Sequence, residues 1–153
     1  MNYIVALLLF YIQDEENVFW CLFQFMRKYN MRQVFIGGFP KLFEMNEKMN
    51  QRLQQDHPRL IEHLNANSLN IESTFFSHFM AFSINKVPIE ISTRLVEIFL
   101  LDGESGYINM TMRMVESQKK KIFELRDDAL QSYMHSELLV DAVKAAPMTA
   151  YAY

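Results

Sequence analysis

Three consecutive carboxylates, Asp14, Glu15 and Glu16, form the first group in this 153-residue chain whose type and spacing could do chemistry. A cation site is the chemistry they suggest. Consecutive helical residues point about 100° apart, however, so three in a row do not converge on one ion. Their place just ahead of an apolar run fits a helix start better: Asp14 caps it, and Glu15 and Glu16 fall in the first turn, where the helix dipole favours negative charge. His57, His63, His78 and His135 show no i, i+4 pairing that would put two imidazoles on a metal, and they read as surface or satisfied core residues. Cys21, inside Phe-Trp-Cys-Leu-Phe, reads as a small core hydrophobe. Gly37-Gly38 lacks the further glycines and the Lys-Ser/Thr of a phosphate-cradling loop. Lys119, Lys120 and Lys121, with Arg113 and Arg126, could meet anionic lipid, but such a run is ordinarily a solvated helix face. No self-sufficient catalytic centre emerges, and neither metal nor cofactor is expected.

The elements that must position these residues are helical. Half of the residues are apolar and only 22% are charged, so the chain is globular and long enough for one domain. Thirteen Phe and eleven Met against four Gly and four Pro favour helices over a turn-rich β architecture. A net charge of −3 gives no reason to expect nucleic-acid binding, which needs basic surface. The single cysteine suits a reducing compartment, with cytoplasm the expected one.

Apolar periodicity of 3.6 residues predicts a succession of helices with polar breaks. The second, behind Asp14, is expected to turn Phe19, Leu22, Phe23 and Met26 inward, widened by Trp20, Cys21 and Phe25. After Gly37-Gly38, Pro40 opens a third through Leu42, Phe43, Met45, Met49 and Leu53. Pro58 opens a fourth, and a fifth starts at about Ser73 with Phe75, Phe76, Phe79, Met80 and Phe82 on its apolar side. A sixth runs from Pro88 to a stop at Asp102-Gly103. Another apolar helix spans Tyr107 to Met114, and a final amphipathic one runs from about Asp128 to Val143. Residues 1–116 thus read as one helical unit, 117–144 as C-terminal helix, and 145–153 as a frayed tail.

The chain's first twelve residues stand out. The apolar stretch from Tyr3 to Ile12 has no basic flank or small-residue cleavage site, and it falls short of the roughly 20 residues that cross a bilayer. It is expected to be a buried helix, apolar all round, of the kind found inside a domain. Residues 1–12 should therefore be covered, by a protein partner or by an N-terminal lobe.

The order of the segments carries a resemblance. "MNYIVALLLFYIQDEENVFWCL" resembles the middle of the TBC domain, the fold of Rab GTPase-activating proteins, whose pattern runs Tyr-x-Gln-Gly-Met-Asn, an apolar helix, then Asp-Glu-Glu-x-x-Phe-Trp. Met1-Asn2 matches the end of the first motif, and Asp14-Glu15-Glu16 with Phe19-Trp20 matches the second. "HPRLIEHL" is similar to the family's Pro-x-Leu-x-x-His-Leu, and "FFSHFMAFSINKVPIEISTRLVEIFLLDGESG" to the stretch ending in Leu-Pro-x-Glu, Arg-Ile-Trp-Asp and a Leu-x-Glu-Gly turn. Where the family has Arg-x-Trp-Asp, this chain has Arg94-Leu95-Val96-Glu97, keeping cation and acid but losing the indole; Phe76 or Phe79 stands where a Trp is common.

The resemblance implies an all-α array like the C-terminal lobe of a TBC domain, a Rab-type small GTPase as partner, and a cytoplasmic location, peripheral at endomembranes. It also implies that the catalytic arginine lies in an upstream Ile-x-x-Asp-x-x-Arg motif and the catalytic glutamine in the Tyr-x-Gln-Gly that the pattern puts immediately before Met1, so that neither is expected within these 153 residues. The sequence thus reads as the C-terminal part of such a domain, inactive alone. Asn2, Tyr3, Arg94 and Glu97 are the residues expected to support the fingers or face the partner, with Arg94 paired to Glu90 or Glu97. The alternative is a non-catalytic helical scaffold that binds a Rab or another protein.

Overall fold

A computed structural model describes residues 2–145, which form helices without a strand among them. In chain order these are α1 (Asn2–Ile12), α2 (Glu15–Lys28), a 3-10 turn (Met31–Val34), α3 (Pro40–Asp56), α4 (Pro58–Ala66), α5 (Ile71–Ala81) and α6 (Ile89–Ser117), then α7 (Lys119–Glu124), α8 (Asp127–Ser132), a π turn (Tyr133–Glu137) and α9 (Leu138–Ala145). Local chemistry sets most of the boundaries. Pro40 and Pro58 open α3 and α4, where a missing N–H costs nothing. Asn70 caps α5, which starts at Ile71, two residues ahead of the expected Ser73, because its carboxamide oxygen accepts from the Glu72 N–H at 2.7 Å.

The predicted stop at Asp102-Gly103 is present as a break inside α6. Gly103 has φ 69° and ψ −156°, a region that only glycine occupies readily, so α6 is two limbs, 89–102 and 104–117. Gly106, one turn on, has no room for a side chain: a Cβ there would sit 2.4 Å from the Asp102 Cβ. The two limbs share one purpose. Leu95, Ile98 and Phe99 from the first and Tyr107, Ile108, Met112 and Met114 from the second are all buried in the same core.

That core is aromatic at its centre. Phe82 meets Phe99 edge-on at 4.9 Å between centroids and Tyr107 at 5.0 Å, and Phe25 reaches the same cluster from α2. Around it lie Met31, Met45, Met49 and Met134, whose flexible thioethers fill irregular gaps between helices. Polar pins close the outside: Lys41 and Lys48 of α3 both reach Glu104 of α6, and His57 Nε2 lies 2.6 Å from Glu116.

Four expectations need correction. α1 is not enclosed: only Ile4 and Leu7 are buried, while Phe10 and Tyr11 are more than half exposed. In α2 the inner stripe is Val18, Leu22, Phe25 and half-buried Met26, whereas Phe19, Trp20 and Phe23 are 58%, 53% and 42% exposed. The physical reason is a rotation of one residue: α1, the 3-10 turn and the Phe82–Phe99 pair lie on the side of Val18 and Phe25, so Phe19 and Phe23, about 100° round, face outward. Phe43 of α3 is likewise exposed, since α5 and α6 take up Leu42, Met45 and Met49. The final segment, expected as one regular helix, carries a π turn at Tyr133–Glu137, and Lys119–Glu124 is a helix of its own. The expected frayed tail and Met1 lie outside the described residues, apart from Ala145, which ends α9.

Candidate functional surface

The α1–α2 hairpin is built from its corner outward. Gln13 adopts a left-handed backbone (φ 57°), and its N–H still reaches the Leu9 carbonyl at 3.1 Å, which ends α1 and turns the chain. Asp14 then takes an extended conformation, and its carboxylate accepts from the Asn17 N–H at 2.8 Å. Glu15 and Glu16 follow in the first turn, pointing into solvent, with Arg27 and Lys28 in the last turn of the same helix. All four charges complement the dipole of α2.

Two hydrogen bonds fasten this hairpin to the first limb of α6. The Tyr11 hydroxyl lies 3.0 Å from Thr93 Oγ1, and the Tyr29 hydroxyl donates to the Leu100 carbonyl at 2.7 Å. Between them opens an apolar groove of about 530 Å³, floored by Ile4, Leu8 and Val96 and walled by Trp20, Cys21 and Leu100. Beside the groove, Tyr3, Phe10 and Tyr11 of α1 are exposed, and Phe19, Trp20 and Phe23 of α2 form a row of exposed aromatic surface. Phe19, Trp20 and Phe23 pack edge-to-face and stacked against one another, so the row is ordered by its own contacts. Contiguous exposed aromatics of this kind mark contact surfaces.

The structure brings some of the sequence-derived residues together and leaves others apart. Arg94 and Glu97 are one turn apart on α6 and pair at 3.0 Å, both partly exposed, an arrangement worth at most about 1 kcal/mol. Of the two acids considered for Arg94, it is Glu97 that the guanidinium meets. Asn2 and Tyr3 occupy the first turn of α1, exposed. Cys21, read as core, is exposed at the groove wall.

Sequence reasoning missed a polar cluster in the interior. His78, Ser83 and Tyr107 are all buried, with His78 Nδ1 3.3 Å from Ser83 Oγ, Ser83 Oγ 3.4 Å from the Tyr107 hydroxyl, and that hydroxyl donating to the His78 carbonyl at 3.2 Å. Burial pushes the His78 imidazole down to about 4, helped by the nearby Lys86 ammonium, and burial raises the Tyr107 phenol. A Ser and a His in contact invite comparison with a nucleophile and its base. Here the serine is 1% and the histidine 2% exposed, and neither lines a described cavity, so no substrate reaches them. The only sequence signal was a polar pair, His78 and Ser83, inside an apolar helix and its cap. Among the described residues no group of three or more His, Cys, Asp or Glu is placed to hold a metal ion, and no helix is long and apolar enough to cross a membrane.

The chain is similar to GTPase-activating protein GYP5 of Saccharomyces cerevisiae, 25% identical over 138 residues, which is 90% of this chain and 15% of that protein. It is also similar to the human ecotropic viral integration site 5 protein homolog, 23% identical over 80% of this chain and 15% of the relative, and to TBC1 domain family member 2A of Mus musculus, 21% identical over 88% and 14%. The chain therefore spans about 15% of the length of the curated relatives it matches. No solved structure matches it. The sequence profile of the Rab-GTPase-TBC domain matches residues 1–123, through α7, and with that share of 153 residues matched the chain belongs to the Rab-GTPase-TBC domain family.

Proposed function

We propose that this chain forms the C-terminal helical part of an activator of a Rab-type GTPase, and that the two catalytic groups come from polypeptide other than these 153 residues. Hydrolysis of GTP needs an in-line water and a cation to offset charge developing on the phosphoryl oxygens. In the TBC pattern these are a glutamine and an arginine in the motifs Tyr-x-Gln-Gly and Ile-x-x-Asp-x-x-Arg, and neither full motif occurs in the sequence; Tyr11-Ile12-Gln13 runs into Asp14 and lacks the glycine. Arg94 does not replace the finger: it lies within α6, spanned to Glu97. Its role is to hold the first limb of α6, while Asn2 and Tyr3 lie at the end of α1 that the glutamine motif would precede.

The observation that carries this reading is the exposed aromatic surface of α1 and of α2 beside the α1–α2–α6 groove. An apolar helix with one bare flank calls for a polypeptide to cover it, and residues 1–12 are that contact. The natural occupant is the N-terminal lobe that bears the two fingers. A second reading rests on the same flank: a non-catalytic adaptor that uses it to hold a Rab or another protein. Work at a Rab would place the chain in the cytoplasm at the surface of endomembranes.

GTP turnover by a panel of Rab proteins separates the readings. The chain alone should give no acceleration. Joined to the finger-bearing segment of a relative such as GYP5, it should accelerate turnover on the order of 10³-fold or more over the Rab alone. Binding of a Rab without acceleration in either form would favour the adaptor. Acceleration by the chain alone would overturn the claim that the catalytic groups lie elsewhere.

A further inference from the structure

Two arginines flank a second groove on the opposite edge of α2, and neither is satisfied. Phe23 and Arg27 lie one turn apart on one stripe of α2, and Asn30 follows in a left-handed turn (φ 56°). Facing them across the corner are Arg32, in the 3-10 turn, and Phe35 and Ile36 just beyond it. Together with Met26 they enclose about 520 Å³. Phe23 and Ile36 are 42% and 36% exposed, so the floor is apolar and open to solvent. Met31 and Val34, on either side of Arg32, are fully buried, which fixes the turn that carries it.

What sets the charges on this groove apart is that two unpaired guanidinium groups share one cavity rim. Lys41, Lys48, Arg94 and Lys121 each reach a carboxylate within the molecule. The guanidinium groups of Arg27 and Arg32 have no hydrogen bond or ion pair with any described residue, although both residues line the same cavity and are exposed. An arginine fork matches a carboxylate geometrically, so two free forks either side of an apolar floor complement an apolar side chain flanked by acids. An anionic bilayer is a poorer match. The segment 14–32 carries three acids, Asp14, Glu15 and Glu16, against three bases, Arg27, Lys28 and Arg32, so a flat surface meets no net positive charge, while a short peptide touches only the basic end.

We infer that the groove between the C-terminal half of α2 and the turn at 32–36 docks a short acidic segment of a protein partner, its apolar side chain seated between Phe23 and Ile36 and its carboxylates on Arg27 and Arg32. This site shares Phe23 with the exposed aromatic surface of α2 and does not depend on GTPase activation.

The test uses the full chain carried on maltose-binding protein, which keeps the aromatic row from self-associating, with the carrier alone as blank. The probe is a fluorescein-labelled, end-blocked peptide Asp-Glu-Leu-Phe-Glu-Glu, read by anisotropy, beside its counterpart with lysine at the four acidic positions. The acidic peptide should bind saturably at low salt and weaken steeply as salt rises. The double substitution Arg27→Gln, Arg32→Gln should weaken it about tenfold or more, with an unchanged far-ultraviolet helix signal, while Arg59→Gln on α4, outside the groove, should leave it unchanged. The salt dependence of the unsubstituted chain stands even if the double variant folds poorly. No saturable binding, equal binding of the lysine peptide, indifference to the groove substitutions, or binding to phosphatidylserine vesicles in place of the peptide would each overturn the inference.

Discussion

Phe99 and Phe19 are the same residue type, each on an apolar face of a helix, and they end in opposite environments. Phe99 is 1% exposed and packs within 5.4 Å of the rings of Phe25, Tyr29 and Phe82, while Phe19 is 58% exposed and has its ring contacts among the described residues with Trp20 and Phe23 of its own helix. The interior built by α3, α5 and α6 buries most of its large apolar side chains, leaving Phe43, Leu100 and Leu101 exposed. The α1–α2 hairpin has buried one side and left the other for a contact from elsewhere. Hydrophobicity alone therefore does not say which aromatic residues hold the fold together and which wait for a partner.

The largest effects that sharpen this contrast belong to the interior. Phe99→Ala should destabilise by about 3–5 kcal/mol in chemical denaturation, through lost burial and the cavity left behind. Next comes pH. The His78 imidazole titrates near 4 when folded against about 6.5 when unfolded, so between those values the unfolded chain holds a proton the folded one lacks. The associated stability is fully present above about pH 6.5 and is lost, by about 3 kcal/mol, as pH falls to 4. His78→Phe should flatten that slope, and an unchanged slope would remove His78 as its source. Lys86 and His135 face this histidine and do not supply a counter-anion.

These interior features were unevenly legible in the sequence. The prolines and Gly103 marked helix starts and a break because each forbids or permits a specific backbone geometry, and the Asp14 turn could be placed from its residue types alone. The orientation of α2 could not, since seven of its residues between Val18 and Phe25 are apolar or aromatic and a stripe one residue either way fits the pattern equally well. Only the neighbours choose, and they come from residues far along the chain, such as Phe82 and Phe99. The His78–Ser83–Tyr107 cluster was hidden for the same reason: it joins α5, its cap and the second limb of α6. The π turn at Tyr133–Glu137 has no proline or glycine to announce it.

Smaller effects follow at the boundaries and on the hairpin. Gly103→Ala should cost about 1–3 kcal/mol, because the break in α6 places that residue where a Cβ is strained. Asp14→Ala should cost about 1 kcal/mol by removing the bond to the Asn17 N–H, with Asp14→Asn restoring most of it. Phe19→Ala should stay within about 0.5 kcal/mol, as a surface substitution does, and a loss comparable to that of Phe99→Ala would erase the contrast between the two regions.

The most direct test of the bare hairpin uses Trp20, the one tryptophan in the sequence, which sits in the aromatic row at the groove wall. Acrylamide quenching of its fluorescence is measured on the chain alone, at a concentration where sedimentation shows a monomer, and again with the finger-bearing segment of a relative joined upstream. Ready quenching of the monomer and marked protection in the joined form are expected. A monomer whose Trp20 is already shielded, or a joined form quenched as freely as the chain alone, would contradict the claim that this face is built to be covered by another polypeptide.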